Sequence, residues 1–167
     1  MWTLFDTHPR RVLAAISAVC VAMLAFGLYL QHVVGLEPCP MCIVQRYALI
    51  LVAVFSAIGA ALRGGGRKIL ALLGLLAAGS GAFTAARQSY LQWYPPEFAS
   101  CSRDFYGMVE TFPLKRAIPM IFKGSGDCTA IDWTLLGGSI ANWSFVAFVV
   151  LGLALLALLV RNSRRAG

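Results

Sequence analysis

Charge is the first thing that this sequence lacks. Only 13% of its 167 residues are charged, and just seven of them are acidic. Soluble domains average about 25% charged residues, whereas this chain is 59% hydrophobic with a mean hydropathy of +0.76. An ordinary soluble domain is therefore excluded, and the bilayer is the solvent for most of the chain.

Histidine is scarce as well, and the chain has no internal repeat, low-complexity tract or long linker. His8 and His32 are the two histidines, and neither has a carboxylate at a spacing useful for catalysis. The glycine run at 64–66 is typical of a tight turn between two apolar runs. We interpret residues 1–167 as a single membrane domain.

Four apolar runs are long enough to span a bilayer, which takes roughly 20 residues in a helix. The first run follows two arginines but exceeds the ~7–15 apolar residues of a signal peptide, so we interpret it as retained. The sequence therefore predicts an all-α membrane protein, a bundle of four transmembrane helices. The predicted spans are residues 12–31, 43–62, 69–88 and 143–160.

The basic residues lie mainly at the ends of the runs that must share one side of the membrane. These segments carry eight basic residues and one acidic residue, whereas the two opposite loops, about 32–42 and 89–142, carry four basic and six acidic residues. The positive-inside rule predicts that both termini are cytoplasmic and both loops are outside. The net charge of +7 reflects this orientation, and we expect no nucleic-acid partner.

Four of the five cysteines fall in the two outer loops. Cys39 and Cys42 form a C-x-x-C pair at the start of the second run, and Cys101 and Cys128 lie far apart in the second loop. Such loops face an oxidising space, in which disulfides persist. The start of a helix favours a reactive thiolate, and the sequence places Cys42 there. Cys20, in the middle of the first run, is interpreted as a small buried hydrophobe.

Arg46 lies four residues after Cys42 and projects from the same helix face about one turn deeper. An arginine within a spanning helix costs about 2.5–3.5 kcal/mol at the membrane centre and less near the surface. Its guanidinium could stabilise the thiolate or donate a hydrogen bond to a carbonyl oxygen of a membrane-soluble oxidant. The alternative is that Arg46 only extends to the lipid headgroups, but its position beside the C-x-x-C pair favours a function.

The second cysteine pair allows two interpretations. Cys101 and Cys128 both lie in polar, turn-like surroundings, which suit an accessible and exchangeable disulfide. The pair could equally close the loop as a structural disulfide, typically worth about 2–4 kcal/mol. The apolar segment Phe112–Lys123 between them predicts a short interfacial helix. A four-cysteine zinc site would want two closely spaced pairs, so we predict no metal.

Four motifs follow one another along the chain: CPMC at 39–42, QR at 45–46, YPPEFASC at 94–101 and SGDC at 125–128. In this order and topology, they resemble those of the DsbB family, the quinone-dependent thiol oxidases of the bacterial inner membrane. The resemblance covers nearly the whole chain and implies that both cysteine loops face the periplasm. Gln45 and Gln88 occupy places where some relatives have a carboxylate and a histidine, so no proton relay is expected there.

The resemblance also implies an electron path. A reduced, soluble periplasmic oxidase of the DsbA type attacks Cys101, the freed Cys128 reaches Cys39, and Cys42 is left as a thiolate. The acceptor is a membrane quinone, ubiquinone or menaquinone, next to Cys42 and Arg46. The four loop cysteines are thus the expected catalytic residues, and Arg46 and Cys42 the expected cofactor-binding residues.

Two other functions remain as alternatives. A quinone reductase of the vitamin K epoxide reductase type also combines four helices with a C-x-x-C pair, but its pair lies late in the bundle, near the fourth helix. Here the pair opens the second span. A non-enzymatic membrane scaffold with structural loop disulfides would leave Arg46 and the position of Cys42 unexplained.

Overall fold

Four long helices make up most of the described part of the chain. The computed structural model describes residues 8–36, 38–95, 129, 131 and 133–164. Each of the four helices contains a stretch long and apolar enough to cross a membrane, so the predicted four-helix bundle is confirmed. The helices are α1 (Pro9–His32), α2 (Pro40–Ala61), α3 (Gly65–Trp93) and α4 (Ile140–Arg164).

The turn between α2 and α3 is held by arginine side chains. Gly64 adopts a φ of 65° just before α3, a conformation that a residue without Cβ tolerates readily. Arg67 donates to the carbonyl oxygen of Leu62 at 2.8 Å, and Arg10 donates to that of Ala61 at 3.1 Å. These guanidinium groups satisfy carbonyls that the end of α2 leaves without intrahelical partners.

Helix α3 is central in the packing, because it contacts both α2 and α4, while α1 packs on α2 and barely touches α4. The core contains Leu13, Val52, Ala78 and Leu155, one from each helix and all fully buried. Large apolar side chains on the outer faces of the helices are exposed, as expected for surfaces that contact lipid. The separation of α1 from α4 leaves room for a cavity at one end of the bundle.

Small residues on α3 allow α4 to approach closely. Gly81 is buried, and a Cβ placed there would lie 2.4 Å from Cε1 of the Phe148 ring in α4. Close approach of this kind is how membrane helices gain packing energy when the solvent itself is apolar.

Gly81→Ala is expected to destabilise the bundle by about 1–3 kcal/mol, because the ring of Phe148 must move to admit a methyl group. Gly79→Ala is the matched control, since nothing lies within 4 Å of a Cβ at that position. Thermal unfolding of both variants in detergent is the measurement. Equal stability of the two variants would show that Phe148 does not constrain Gly81.

A small β-hairpin, which the sequence did not predict, precedes α4. Its strands are β1 (Thr134–Leu135) and β2 (Gly138–Ser139), paired antiparallel. Leu136 and Gly137 have φ values of 51° and 80°, and two positive φ angles are typical of a two-residue hairpin turn. Trp143 of α4 donates from its indole nitrogen to the Leu135 carbonyl at 2.9 Å, which fixes the hairpin on the start of α4.

The helices extend beyond the predicted spans at nearly every end, and by the largest margin at the end of α3. α2 begins at Pro40 rather than at 43, and α3 continues to Trp93 rather than ending at 88. Apolar content locates the membrane interior, but a helix can extend beyond it into the interface. The predicted interfacial helix, Phe112–Lys123, lies outside the described residues, and the cytoplasmic placement of the termini stays a prediction.

Candidate active site

The C-x-x-C pair forms the first turn of α2. Cys39 is the N-cap, with extended backbone, and its sulfur accepts a hydrogen bond from the backbone N–H of Cys42 at 3.3 Å. Pro40 occupies the first helical position, where its missing N–H and fixed φ favour a helix start. From the sequence, the start of the helix is expected to favour a thiolate at Cys42. In the structure, the backbone N–H of Cys42 donates to the sulfur of Cys39.

The two sulfurs of the pair lie close together. Their Sγ atoms are 2.8 Å apart, and either thiol could donate to the other. Cys39 is buried against Met41 and Leu91, and Cys42 is partly buried beside them. A pair at this separation can bond with only a small movement of its side chains. The structure therefore places Cys39 and Cys42 where one disulfide can form and open.

A glutamine from α3 contacts both sulfurs. Nε2 of Gln88 lies 3.3 Å from Sγ of Cys39 and 3.3 Å from Sγ of Cys42. Its Oε1 accepts from Nε2 of Gln45 at 2.7 Å and lies 3.7 Å from Sγ of Cys42. Both glutamines are buried, with 4% and 6% of their surface exposed. The two amides therefore form a buried polar pair directly against the thiols.

Arg46 is held by the first helix. Its Nη1 donates to Oε1 of Gln31, and its Nη2 donates to the carbonyl oxygen of Gly27 at 3.1 Å. Among the described residues, the guanidinium donates hydrogen bonds to these two oxygens and to neither sulfur. A guanidinium carries five N–H donors, so Arg46 retains capacity to bind a further acceptor.

A cavity of about 470 Å³ adjoins the cysteine pair. Its wall includes the sulfur-bearing turn of α2, Arg46, Gln88 and apolar side chains from α1 and α4 such as Phe26 and Phe148. Ligand pockets of about 300–1,000 Å³ with apolar walls and a few polar groups are typical of small-molecule sites. The cavity thus fits an apolar ring that carries a small number of hydrogen-bond acceptors.

The hairpin and the residue before it cover part of this cavity. The ring of Trp133 contacts that of Phe26 edge to face, with centroids 6.0 Å apart. Ser139 at the end of the hairpin donates to Oε1 of Gln92 on α3 at 2.6 Å. These contacts link the chain that follows the second cysteine pair to both α1 and α3.

The other candidate residues lie elsewhere or outside the described part of the chain. Cys101 and Cys128 are outside it, so their roles stay predictions. Cys20 is fully buried in the core, in agreement with its interpretation as a hydrophobe, and His8 and His32 are exposed at the two ends of α1. Within the described ranges, no group of three or more histidine, cysteine or acidic side chains could hold a metal ion.

The sequence does not reveal the contacts that the glutamines make with the thiols and with Arg46. Gln45 and Gln88 stand out in it only as departures from related sequences, and Gln31 does not stand out. The available signal was their polarity, because an amide inside an apolar helix is costly unless it has a hydrogen-bond partner.

A family comparison identifies the chain. The model of the family described as Disulfide bond formation protein DsbB matches residues 9–158. This chain belongs to the DsbB family. The matched range contains all four loop cysteines and Arg46, and it runs from the start of α1 almost to the end of α4.

Individual DsbB relatives are similar over nearly their full length. Disulfide bond formation protein B of Paracidovorax citrulli (strain AAC00-1) is 71% identical over 163 residues, which cover 96% of this chain and 93% of that protein. The protein of the same name from Polaromonas sp. (strain JS666 / ATCC BAA-500) is 70% identical and covers 98% of each chain. That of Azoarcus sp. (strain BH72) is 51% identical, with 95% of each chain covered.

Membership of the DsbB family makes this chain a disulfide bond formation protein and a membrane thiol oxidoreductase. The C-x-x-C geometry agrees with that chemistry, because a thiol oxidase needs two sulfurs that can form and open a disulfide.

Proposed function

We propose that this protein is a quinone-dependent oxidoreductase of the bacterial inner membrane, which reoxidises a soluble periplasmic dithiol oxidase of the DsbA type. The observation that carries the proposal is that Cys42 and Arg46 line one apolar cavity of about 470 Å³. A thiol that donates electrons and a cation that can bind a carbonyl oxygen thus face the same space.

The residues present fit a quinone ring. The apolar wall supplies contact for the ring and its hydrophobic tail, and the N–H groups of Arg46 that α1 does not use can bind a ring oxygen. α1 barely touches α4, so the bundle is least tightly closed where the cavity lies. When bound, a quinone supplies the acceptor for two electrons and two protons.

The protein's own residues carry the thiol chemistry. The helix N–H at Cys42 and the amide of Gln88 both contact the sulfur of Cys39, so either can stabilise negative charge there. We propose that the Cys101–Cys128 disulfide takes electrons from the partner and passes them to the Cys39–Cys42 disulfide. Each exchange breaks one S–S bond and forms another, and the two protons of the reduced partner pass to the newly formed thiols, or to solvent for each sulfur that stays a thiolate.

Redox magnitudes explain why a quinone is needed. Structural disulfides have potentials below about −300 mV, whereas a DsbA-type oxidant lies near −120 mV. The difference of roughly 180 mV corresponds to about 8 kcal/mol for two electrons. An ordinary disulfide therefore cannot oxidise such a partner unless its reduced form is stabilised or a downhill acceptor follows.

The orientation that we propose has both termini in the cytoplasm and both cysteine loops in the periplasm. It is supported by the excess of basic residues at the opposite helix ends, where Arg10 and Arg67 also cap the end of α2. In this orientation, the cavity opens close to the periplasmic surface, where a soluble partner can reach the loops.

The experiment is a coupled assay with the purified protein, a reduced DsbA-type partner and a short-chain ubiquinone or menaquinone analogue. We expect quinone reduction that requires the partner, with one quinone consumed for each partner disulfide formed. A protein that oxidises no dithiol partner while quinone is present would contradict the proposed function. So would partner oxidation that continues unchanged without any quinone and with oxygen excluded.

A further inference from the structure

Two buried glutamines have a geometry that thiol exchange alone does not require. Gln45 on α2 and Gln88 on α3 lie within the apolar bundle, and burial of an amide without partners costs free energy. Their amides bind each other, and the remaining polar end of Gln88 turns to the sulfurs rather than to a backbone group. The pair is therefore arranged around the thiols.

The contact with Gln45 fixes the direction in which the amide of Gln88 faces. A carboxamide has a donor at one end and an acceptor at the other. Because Oε1 of Gln88 accepts from Gln45 at 2.7 Å, the two N–H groups of Nε2 are left for Cys39 and Cys42, each at 3.3 Å. One amide thus offers one donor to each sulfur.

We propose that Gln88 is a catalytic hydrogen-bond donor that stabilises the thiolate form of the Cys39–Cys42 pair, and that Gln45 is the positioning residue that orients it. A hydrogen bond is stronger when its acceptor is ionised, so the donor favours the thiolate over the thiol. An uncharged donor does so without a second buried cation beside Arg46, whose desolvation would be costly. The inference deepens the proposed function. It rests on that function only for what the thiolate does, which is to donate electrons to a quinone.

The role is consistent with the electron balance of the proposed reaction. When the Cys39–Cys42 disulfide re-forms, the pair loses two electrons and two protons and gains one S–S bond, and a quinone takes up both. The thiolate is the reacting species, so a larger thiolate fraction makes the step faster. Gln88 keeps its own protons throughout.

Among the described residues, the charged groups at this end of the bundle are turned to partners other than the sulfurs. Arg46 binds Gln31 and Gly27 on α1, and Arg87 on α3 lies over the ring of Tyr90 at 5.6 Å. His32 is exposed at the end of α1. α4 carries no charged residue before Arg161, and the donor that α3 brings to the sulfurs, the amide of Gln88, is uncharged.

The test is the rate at which iodoacetamide alkylates the reduced, full-length protein in detergent, with Cys20, Cys101 and Cys128 replaced by serine and each adduct located by mass spectrometry. Gln88→Met keeps the length of the side chain but removes both donors. We expect alkylation at pH 7 to slow about tenfold, the effect of one lost hydrogen bond to a charged group. The slowing should shrink as the pH rises, because a larger share of the thiols then ionises in every variant.

Two further variants separate the loss of the donors from the loss of their orientation and from a general disturbance of the fold. Gln45→Met leaves Gln88 in place but frees its amide to rotate, so a smaller slowing at pH 7 is expected. Thr84→Val is the control, because it removes a buried polar group one turn before Gln88 on α3 and lies outside the cavity wall, so it should leave the alkylation profile unchanged. Thermal unfolding shows whether each variant remains folded.

Two results would overturn the inference. Alkylation at pH 7 that is the same in Gln88→Met and Thr84→Val would mean that the amide does not stabilise a thiolate. Slowing by one factor at every pH would mean that the variant changed access to the sulfurs. Neither readout involves a quinone, so failure of the coupled assay with the unmodified protein would refute the proposed function and leave this result standing.

Discussion

Cys42→Ala is expected to stop quinone-coupled turnover while the protein still accepts electrons from its partner once. Without Cys42, the first pair cannot close a disulfide and has no thiol to donate electrons toward the cavity. In protein whose second pair is still a disulfide, the Cys39 thiol can attack that disulfide at Cys128 and release Cys101 as a thiol, so we expect a trapped link between Cys39 and Cys128. Such a link requires α-carbons within about 7 Å and is visible as a shifted band on a non-reducing gel.

Cys101→Ala should block the first step of the electron path, which is oxidation of the partner. The disulfide that the partner attacks is then absent, so partner oxidation should fall to background, while quinone should still oxidise Cys39 and Cys42 after chemical reduction. Single-turnover reoxidation, followed by thiol trapping on gels, measures this separately from the coupled assay.

Cys20→Ala provides the control for both cysteine variants. Its side chain is fully buried in the core and does not line the cavity, so the same substitution should keep multi-turnover activity with only a small loss of stability. If Cys42→Ala and Cys101→Ala also keep full multi-turnover activity, the loop cysteines are structural and the proposed function is wrong.

The sequence predicted the bundle well because bilayer thickness imposes a simple length requirement on apolar runs. It predicted the ends of the helices less well, since a helix can continue into the interface where polar residues are tolerated. The five residues of α3 beyond 88 include Gln92, which binds Ser139 of the hairpin. The hairpin itself depends on Leu136, a residue type that gives no signal for a positive φ.

The site was predictable only in part, because its contacts cross between helices. The C-x-x-C spacing and the nearness of Arg46 follow from one helix, so the sequence could place them together. The partners of Arg46 lie 15 and 19 residues earlier, on α1. Gln88 is 46 residues from Cys42, and no periodicity within one helix relates them. Packing of α3 against α2 decides that contact.

The hydrogen bonds of Arg46 to α1 bear on whether Arg46 has a function or only extends to the lipid headgroups. A guanidinium that only reached the headgroups would not need two acceptors on a neighbouring helix. Here, Gln31 and Gly27 hold it on the cavity wall. These bonds are compatible with a role of Arg46 toward a ligand in the cavity, and stabilisation of the thiolate by Arg46 stays a prediction.

Arg46→Ala is therefore expected to weaken use of the quinone strongly and to leave exchange between the cysteine pairs intact. A lost hydrogen bond from a charged donor typically costs about 1.5–3 kcal/mol, so the apparent KM for quinone should rise about 10- to 100-fold. A rise in KM with kcat little changed would mean that Arg46 binds the ring equally in the ground and transition states. Steady-state kinetics at several quinone concentrations, with single-turnover thiol exchange alongside, are the measurement.

Arg87→Ala and Gln31→Leu complete this comparison. Arg87 is also an arginine near the end of a span, but its guanidinium lies over the Tyr90 ring, so its loss should leave the quinone KM unchanged. Gln31→Leu keeps the guanidinium but removes one of its two acceptors on α1. A smaller rise in the quinone KM is expected, because Arg46 then samples more conformations before it binds the ring oxygen. If Arg46→Ala behaves like Arg87→Ala, Arg46 serves only to reach the membrane surface, and the cavity binds its ligand without it.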